Sequence, residues 1–250
     1  MATTNRTEND ITVDEVLALL KRTSLPTVVV EGADDMIIYR TFEEGLSHLG
    51  VSVLPVGGRQ KVLEIFSRKG EVPASVRLIF IADQDVWVNI GIPLAFRDES
   101  LIFTNGYSIE NDVYADGQLS KLLRDTECEK FESDLSAFVE WYALALDRHL
   151  RDSSHAISLH PDHVLNVAER PKLLELAPSE LYPHDLRSLI QQNYHRLLRG
   201  KSLISLLLRN TNYKNREPHH TGKALLELVA VRPGPLLMDI SRRIELCFTS

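Results

Sequence analysis

A chain of 250 residues with 44% hydrophobic and 25% charged content has the composition of an ordinary globular protein. Its two cysteines exclude a disulfide framework or a cysteine-rich zinc site, and no apolar run approaches the roughly 20 residues needed to cross a bilayer. A net charge of −7 excludes bulk attraction to nucleic acid, so any such binding needs a local basic patch or a bound metal.

The polar stretch Met1 to Asp10 lacks a signal-peptide core. The expected location is the cytoplasm, with no membrane contact. Residues 1–11 read as a loose tail. Thr12 and Glu15 then fit a capping box opening a short helix through Val16–Leu20. Thr27–Val30 is β-branched, apolar and too short for a helix, so it reads as a buried strand. A helix follows from about Asp34 to His48, then a strand at Val51–Val56, a Gly57-Gly58 turn and a helix from Arg59 to Ser67. Arg77–Ala82 is a third strand. An irregular stretch holding Gly91 and Pro93 leads to a fourth, Leu101–Thr104. Asn105-Gly106 is a turn signal, and Ser108 can cap a helix beginning Ile109-Glu110-Asn111. This β-α-β-α-β alternation implies an α/β fold with a parallel, four-stranded sheet flanked by helices. Beyond about residue 118 strand signals fade, and amphipathic runs at Leu135–Leu150, Ser188–Leu198 and Leu203–Leu208 predict a mainly helical region. The expected division is therefore 1–117 and 118–250.

The chemistry gathers at two strand exits. Val28-Val29-Val30 ends in Glu31-Gly32, with Asp34 and Asp35 close behind; Leu78–Ala82 runs into Asp83-Gln84-Asp85. Open α/β sheets place ligand sites at the carboxyl ends of their strands. Carboxylates gathered there repel one another unless a cation sits among them, and hard cations such as Mg²⁺ take oxygen ligands. If the strand stays extended, alternation puts Asp83 and Asp85 on one face, able to share an ion. The competing reading is local: Asp34 and Asp35 favour the positive end of the next helix, and Asp83 and Asp85 belong to a polar loop. Arg59, at a helix start after two glycines, fits either a phosphate contact or a pairing with the site acids.

Strand-Glu-Gly followed by strand-Asp-x-Asp, in a small parallel α/β unit, resembles the TOPRIM fold shared by topoisomerases, bacterial primases and OLD-family nucleases. Val56-Gly57-Gly58-Arg59 and Thr104-Asn105-Gly106-Tyr107-Ser108-Ile109-Glu110-Asn111 resemble a narrower TOPRIM group in bacterial defence operons, which includes the effector subunit of the PARIS anti-phage system. The resemblance covers about residues 25–115. It implies metal-dependent phosphodiester hydrolysis, with Glu31, Asp83 and Asp85 both catalytic and ligands to Mg²⁺ or Mn²⁺. Glu110 and Asp35 would complete the metal set. It further implies a nucleic-acid substrate, DNA or RNA and by resemblance tRNA, and a toxic effector restrained by a partner ABC-type ATPase; a homodimer is also compatible. The alternatives are a non-catalytic TOPRIM-like module for binding or assembly, and a phosphoryl-transfer enzyme acting on small nucleotides.

Gln191–Arg216 contains no acidic residue and carries Arg196, Arg199, Lys201, Arg209, Lys214 and Arg216. In an acidic protein this is the natural place for a phosphate backbone, and the resemblance implies Lys201 as a candidate catalytic lysine, since nucleases of this class often add a lysine near the metals. The competing reading is a solvated helix face. Gly200-Lys201-Ser202 is no P-loop, since His195 stands where the motif needs glycine. His155, His160, His163, His219 and His220 match no strong zinc spacing. Phe138, Trp141, Tyr142 and Leu146 read as helix packing, with partner docking as the alternative.

Overall fold

The computed structural model describes residues 11–32 and 35–249. The predicted loose tail, apart from Ile11, and Asp34 lie outside the described residues. The chain forms two compact units. One runs to Thr104 and takes in the segment from Ala230 onward; the other spans Asn105–Val229. This differs from the predicted boundary near 117, for reasons visible in the helices below.

In the first unit α1 (Val13–Leu20) opens with the predicted capping box: the Glu15 amide donates to Thr12 Oγ1 at 3.2 Å, and the Thr12 amide donates to Glu15 Oε2 at 2.7 Å. The strands are β1 (Thr27–Val30), β2 (Ser52–Pro55), β3 (Leu78–Ala82) and β4 (Leu101–Phe103). Between them come α2 (Met36–Gly45), α3 (Arg59–Ser67) and α4 (Trp87–Ile90). All strand pairs are parallel, in the order β2-β1-β3-β4. Val29 lies opposite Leu54 on one side and Phe80 on the other.

Side chains alternate across the pleat, so Val29 and Phe80 face one core with Leu17 and Leu20 of α1 and Val62 and Phe66 of α3. Val28, Val30, Ile79 and Ile81 point the other way and are also buried. A sheet covered on both faces explains why its strands read as unbroken apolar runs.

The first unit also takes in α13 (Pro235–Thr249), whose Phe248 carbonyl accepts a 2.6 Å hydrogen bond from Arg77 Nη1 just before β3. No strong signal in the sequence ties residues 230–249 to a sheet more than 120 residues upstream.

The second unit is helical: α5 (Ile109–Asp116), α6 (Asp125–Arg151), α7 (Pro161–Val164), α8 (Arg170–Leu173), α9 (His184–Gln192), α10 (Tyr194–Leu197), α11 (Gly200–Thr211) and α12 (Gly222–Val231). Helix α5 belongs here because its first turn is stitched to the α10–α11 connection: Asn111 Nδ2 donates to the His195 and Leu198 carbonyls at 2.9 Å each. That is why the boundary falls before α5. Helix α6 buries Phe138, Trp141, Tyr142 and Leu146, so this stripe is interior packing.

Candidate functional site

The connection β1-α2-β2 moves the chain to one side of β1, while β3 lies on the other. The β1/β3 pair is thus the topological switch point, the place at which open α/β sheets bind their ligands, outside the strands' carboxyl ends. Glu31 leaves β1 there and Asp83 leaves β3.

Glu31 is fixed twice. Its carbonyl accepts from the Gly57 and Gly58 amides at 2.7 Å each, a double contact that needs Gly58 at φ 127°, a conformation open to glycine. Its side-chain Oε1 accepts from the Asp83 amide at 2.7 Å. The two strand exits therefore meet directly, through a carboxylate on one and the main chain of the other. Burial pushes the Glu31 carboxyl up to about 7; the Asp83 amide opposes this, Asp85 raises it further, Arg59 lowers it, and Asp35 raises it. Asp35 sits at the N-cap position of α2, close enough to add its charge to the group.

The Asp-x-Asp segment departs from the predicted extended form. Strand β3 ends at Ala82, and Asp85 adopts a left-handed backbone with φ 48°. Period-two alternation does not carry through a turn of this kind, so the placement of Asp83 and Asp85 follows from the turn. Aspartate tolerates this region better than most residues, and such backbone is concentrated at functional sites.

Arg59 resolves toward the acids and their loop. Its Nε donates to the Asp83 carbonyl at 2.8 Å and its Nη2 to the Gln84 carbonyl at 3.3 Å. Nε also lies 3.6 Å from Asp85 Oδ2, and the guanidinium stacks 3.9 Å above the Trp87 ring. Gln84, buried between the aspartates, donates through Nε2 to the Thr104 carbonyl at 2.7 Å and through its amide to Thr104 Oγ1 at 3.2 Å, tying β3's exit to β4's. Trp87 and Gln84 were not singled out in the sequence. In sequence Gln84 is only the middle residue of Asp-x-Asp, and nothing local marks it.

Glu110 and Lys201 belong to the second unit. Glu110 is buried and accepts from Ser108 Oγ at 2.5 Å. A Cβ placed on Gly200 would lie 2.9 Å from Glu110 Cβ and 2.2 Å from Ser108 Oγ, so the start of α11 is pressed onto the start of α5. Lys201, one position on, is exposed, while Glu110 is buried under this contact. The Asn105-Gly106 turn is held by Asp112, whose oxygens accept both amides at 2.9 and 2.8 Å. Burial raises that carboxyl to about 6 against these two bonds.

The predicted basic surface divides. Arg196 and Lys214 are exposed, and Arg199 is half-buried at the N-cap of α11. Arg209 is ion-paired with Asp134 at 3.1 Å and with Asp162. Arg216 is a correction: only 4% exposed, it is an interior ion-pair partner of Glu127 and not a phosphate-facing residue. Its guanidinium also donates to the Leu122 and Pro218 carbonyls. Although burial alone would push the Glu127 carboxyl up, the Arg124 amide, Arg216 and Tyr213 hold it down to about 2.

The donors at the β1/β3 edge are carboxylates, the ligands hard cations take. Among the described residues no three Asp, Glu, His or Cys side chains form a ready-made cage. Mg²⁺ does not require one, since it commonly keeps several waters and binds through one or two carboxylates plus substrate phosphate. The donor chemistry thus suits Mg²⁺ or Mn²⁺. Compared with models of known protein families and with curated proteins, the chain matches none. Among the described residues no helix is long and apolar enough to cross a membrane.

Proposed function

We propose that the β1/β3 edge is the metal-dependent catalytic centre of a nuclease that hydrolyses phosphodiester bonds. The observation that carries this reading is the meeting of Glu31 with the Asp83–Asp85 loop at the switch point, with the Glu31 carboxyl pushed to about 7. A carboxyl perturbed by burial at the carboxyl edge of a parallel sheet marks a candidate working site. Glu31, Asp83 and Asp85 would hold Mg²⁺ or Mn²⁺, which supplies positive charge against the non-bridging phosphate oxygens. Glu31 would act either as a ligand to that ion or as the base that accepts a proton from the attacking water. The Asp83 amide keeps that carboxylate oriented. In the second unit Lys201, Arg196, Arg199 and Lys214 are assigned to the nucleic acid, Lys201 also remaining the candidate catalytic lysine, whereas Glu110, buried and accepting from Ser108, stays a candidate metal ligand.

By the same resemblance the substrate is tRNA or DNA and the protein is a toxic defence effector restrained by an ATPase partner. The test is incubation of purified protein with total RNA and plasmid DNA in Mg²⁺, Mn²⁺ or EDTA, alongside Glu31→Gln. Cleavage that needs the divalent ion and disappears in the variant supports the reading; equal cleavage by both proteins moves the chemistry elsewhere. Co-purification from the native host tests the ATPase.

A second reading, a non-catalytic TOPRIM-like binding module, is favoured by the lack of a three-residue cage among the described residues. It predicts no cleavage under any condition and full tolerance of Asp83→Asn.

A further inference from the structure

We infer that Arg59 is a positioning residue for the Asp83–Asp85 loop, acting with Gln84 and Trp87, and that it does not contact substrate phosphate. The inference rests on the metal-site reading above and adds to it a residue and a role. Arg59 spends its guanidinium on the main chain of the very loop that carries the aspartates: Nε on the Asp83 carbonyl and Nη2 on the Gln84 carbonyl. A planar fork spanning two successive carbonyls is a geometry that lysine's single ammonium cannot reproduce. Its flat face is covered by Trp87 at 3.9 Å. Trp87 in turn packs against Phe96 and Phe103, with ring centroids 5.1 and 5.7 Å away. Arg59's side chain is 17% exposed, which leaves little of it to meet a polyanion.

From the other side Gln84 ties the same loop to Thr104. The loop is thus gripped from α3 and from β4, and between these grips Asp85 holds its left-handed φ of 48°. Such backbone persists where its surroundings over-determine it. The sequence Gly57-Gly58-Arg59 acquires a single purpose: the glycine amides hold the Glu31 carbonyl, and the arginine one step later holds the loop that Glu31's side chain touches.

The experiment compares wild type, Arg59→Lys, Arg59→Ala and Gln84→Ala, first confirming the fold by circular dichroism. Mn²⁺ affinity is measured by electron paramagnetic resonance without nucleic acid, and affinity for an RNA and a DNA oligonucleotide is measured in EDTA. The expected result is roughly 10- to 100-fold weaker Mn²⁺ binding in all three variants, the usual consequence of losing a partner that orients a ligand. Metal-free oligonucleotide affinity should stay within about twofold of wild type, and Arg59→Lys should fail to rescue metal binding. A phosphate-contact role gives the opposite pattern, with unchanged Mn²⁺ affinity, weakened oligonucleotide binding in Arg59→Ala and rescue by lysine, and would overturn the inference. Wild-type protein that binds no Mn²⁺ refutes the metal reading itself, an outcome distinct from either pattern.

Discussion

Replacing Glu31 with glutamine should stabilise the metal-free protein at neutral and alkaline pH while abolishing the proposed metal-dependent cleavage. The carboxyl rises from 4.5 in the unfolded chain to about 7 in the fold, led by burial. A raised acid binds its proton more tightly when folded, so its favourable contribution is complete below about pH 4.5 and is lost as pH climbs through 7. The gap corresponds to roughly 3 kcal/mol at pH 8. Glutamine is neutral at every pH, and its side-chain oxygen can still accept the Asp83 amide. Urea unfolding in EDTA, followed through Trp87 in a Trp141→Phe background, should therefore give Glu31→Gln a higher midpoint at pH 8, with an unchanged slope. The difference should shrink toward zero near pH 4.5. Adding Mg²⁺ at about 100 times its dissociation constant should restore about 2.7 kcal/mol to the wild type alone. A glutamine variant that is no more stable at pH 8, or one displaced equally at both pH values, refutes the electrostatic account of this edge.

Three further outcomes can be checked independently. Glu127→Ala should destabilise the second unit by about 3–5 kcal/mol in thermal or urea unfolding, because it strands Arg216 without a counter-charge in the interior; the double change Glu127→Leu with Arg216→Met should recover most of that loss. Gly200→Ala should cost about 1–3 kcal/mol, since its methyl would collide with Ser108 Oγ and Asn111 Oδ1, whereas Lys201→Ala one position on should be nearly neutral for stability. If Arg196, Arg199 and Lys201 meet the phosphate backbone, their triple alanine variant should lower the slope of log affinity against log salt by about 2 for a single strand, and an unchanged slope would remove them from the interface.

The sheet could be read from the chain because each strand is a short β-branched or apolar run closed by a turn residue. All four strands appear within about a residue or two of their predicted ends. Glu31 was legible for the same reason: an acid directly after a buried strand must emerge at the sheet's carboxyl edge. The Asp83–Asp85 turn was not, because nothing local announces a left-handed aspartate. Its shape comes from Arg59 of α3, which holds its carbonyls under the cover of Trp87, and from its own Gln84, which ties it to Thr104. Helix α6 begins ten residues earlier than its predicted amphipathic run, in an acidic stretch whose only large apolar side chain is Phe131. Arg216 was misread because an arginine buried by a distant glutamate looks in sequence like one that is solvated. The attachment of α13 to the sheet unit depends on long-range contacts such as Arg77 with Phe248, which no local pattern encodes.

That attachment bears on how the protein comes into being. The sheet-bearing unit draws on segments from either side of the helical insert, so a ribosome has to translate the whole insert before the segment from residue 230 onward can join the sheet. Domains generally fold as units during synthesis. The segments that carry Glu31, Asp83 and Asp85 are therefore made well before α13, whose docking their unit still awaits.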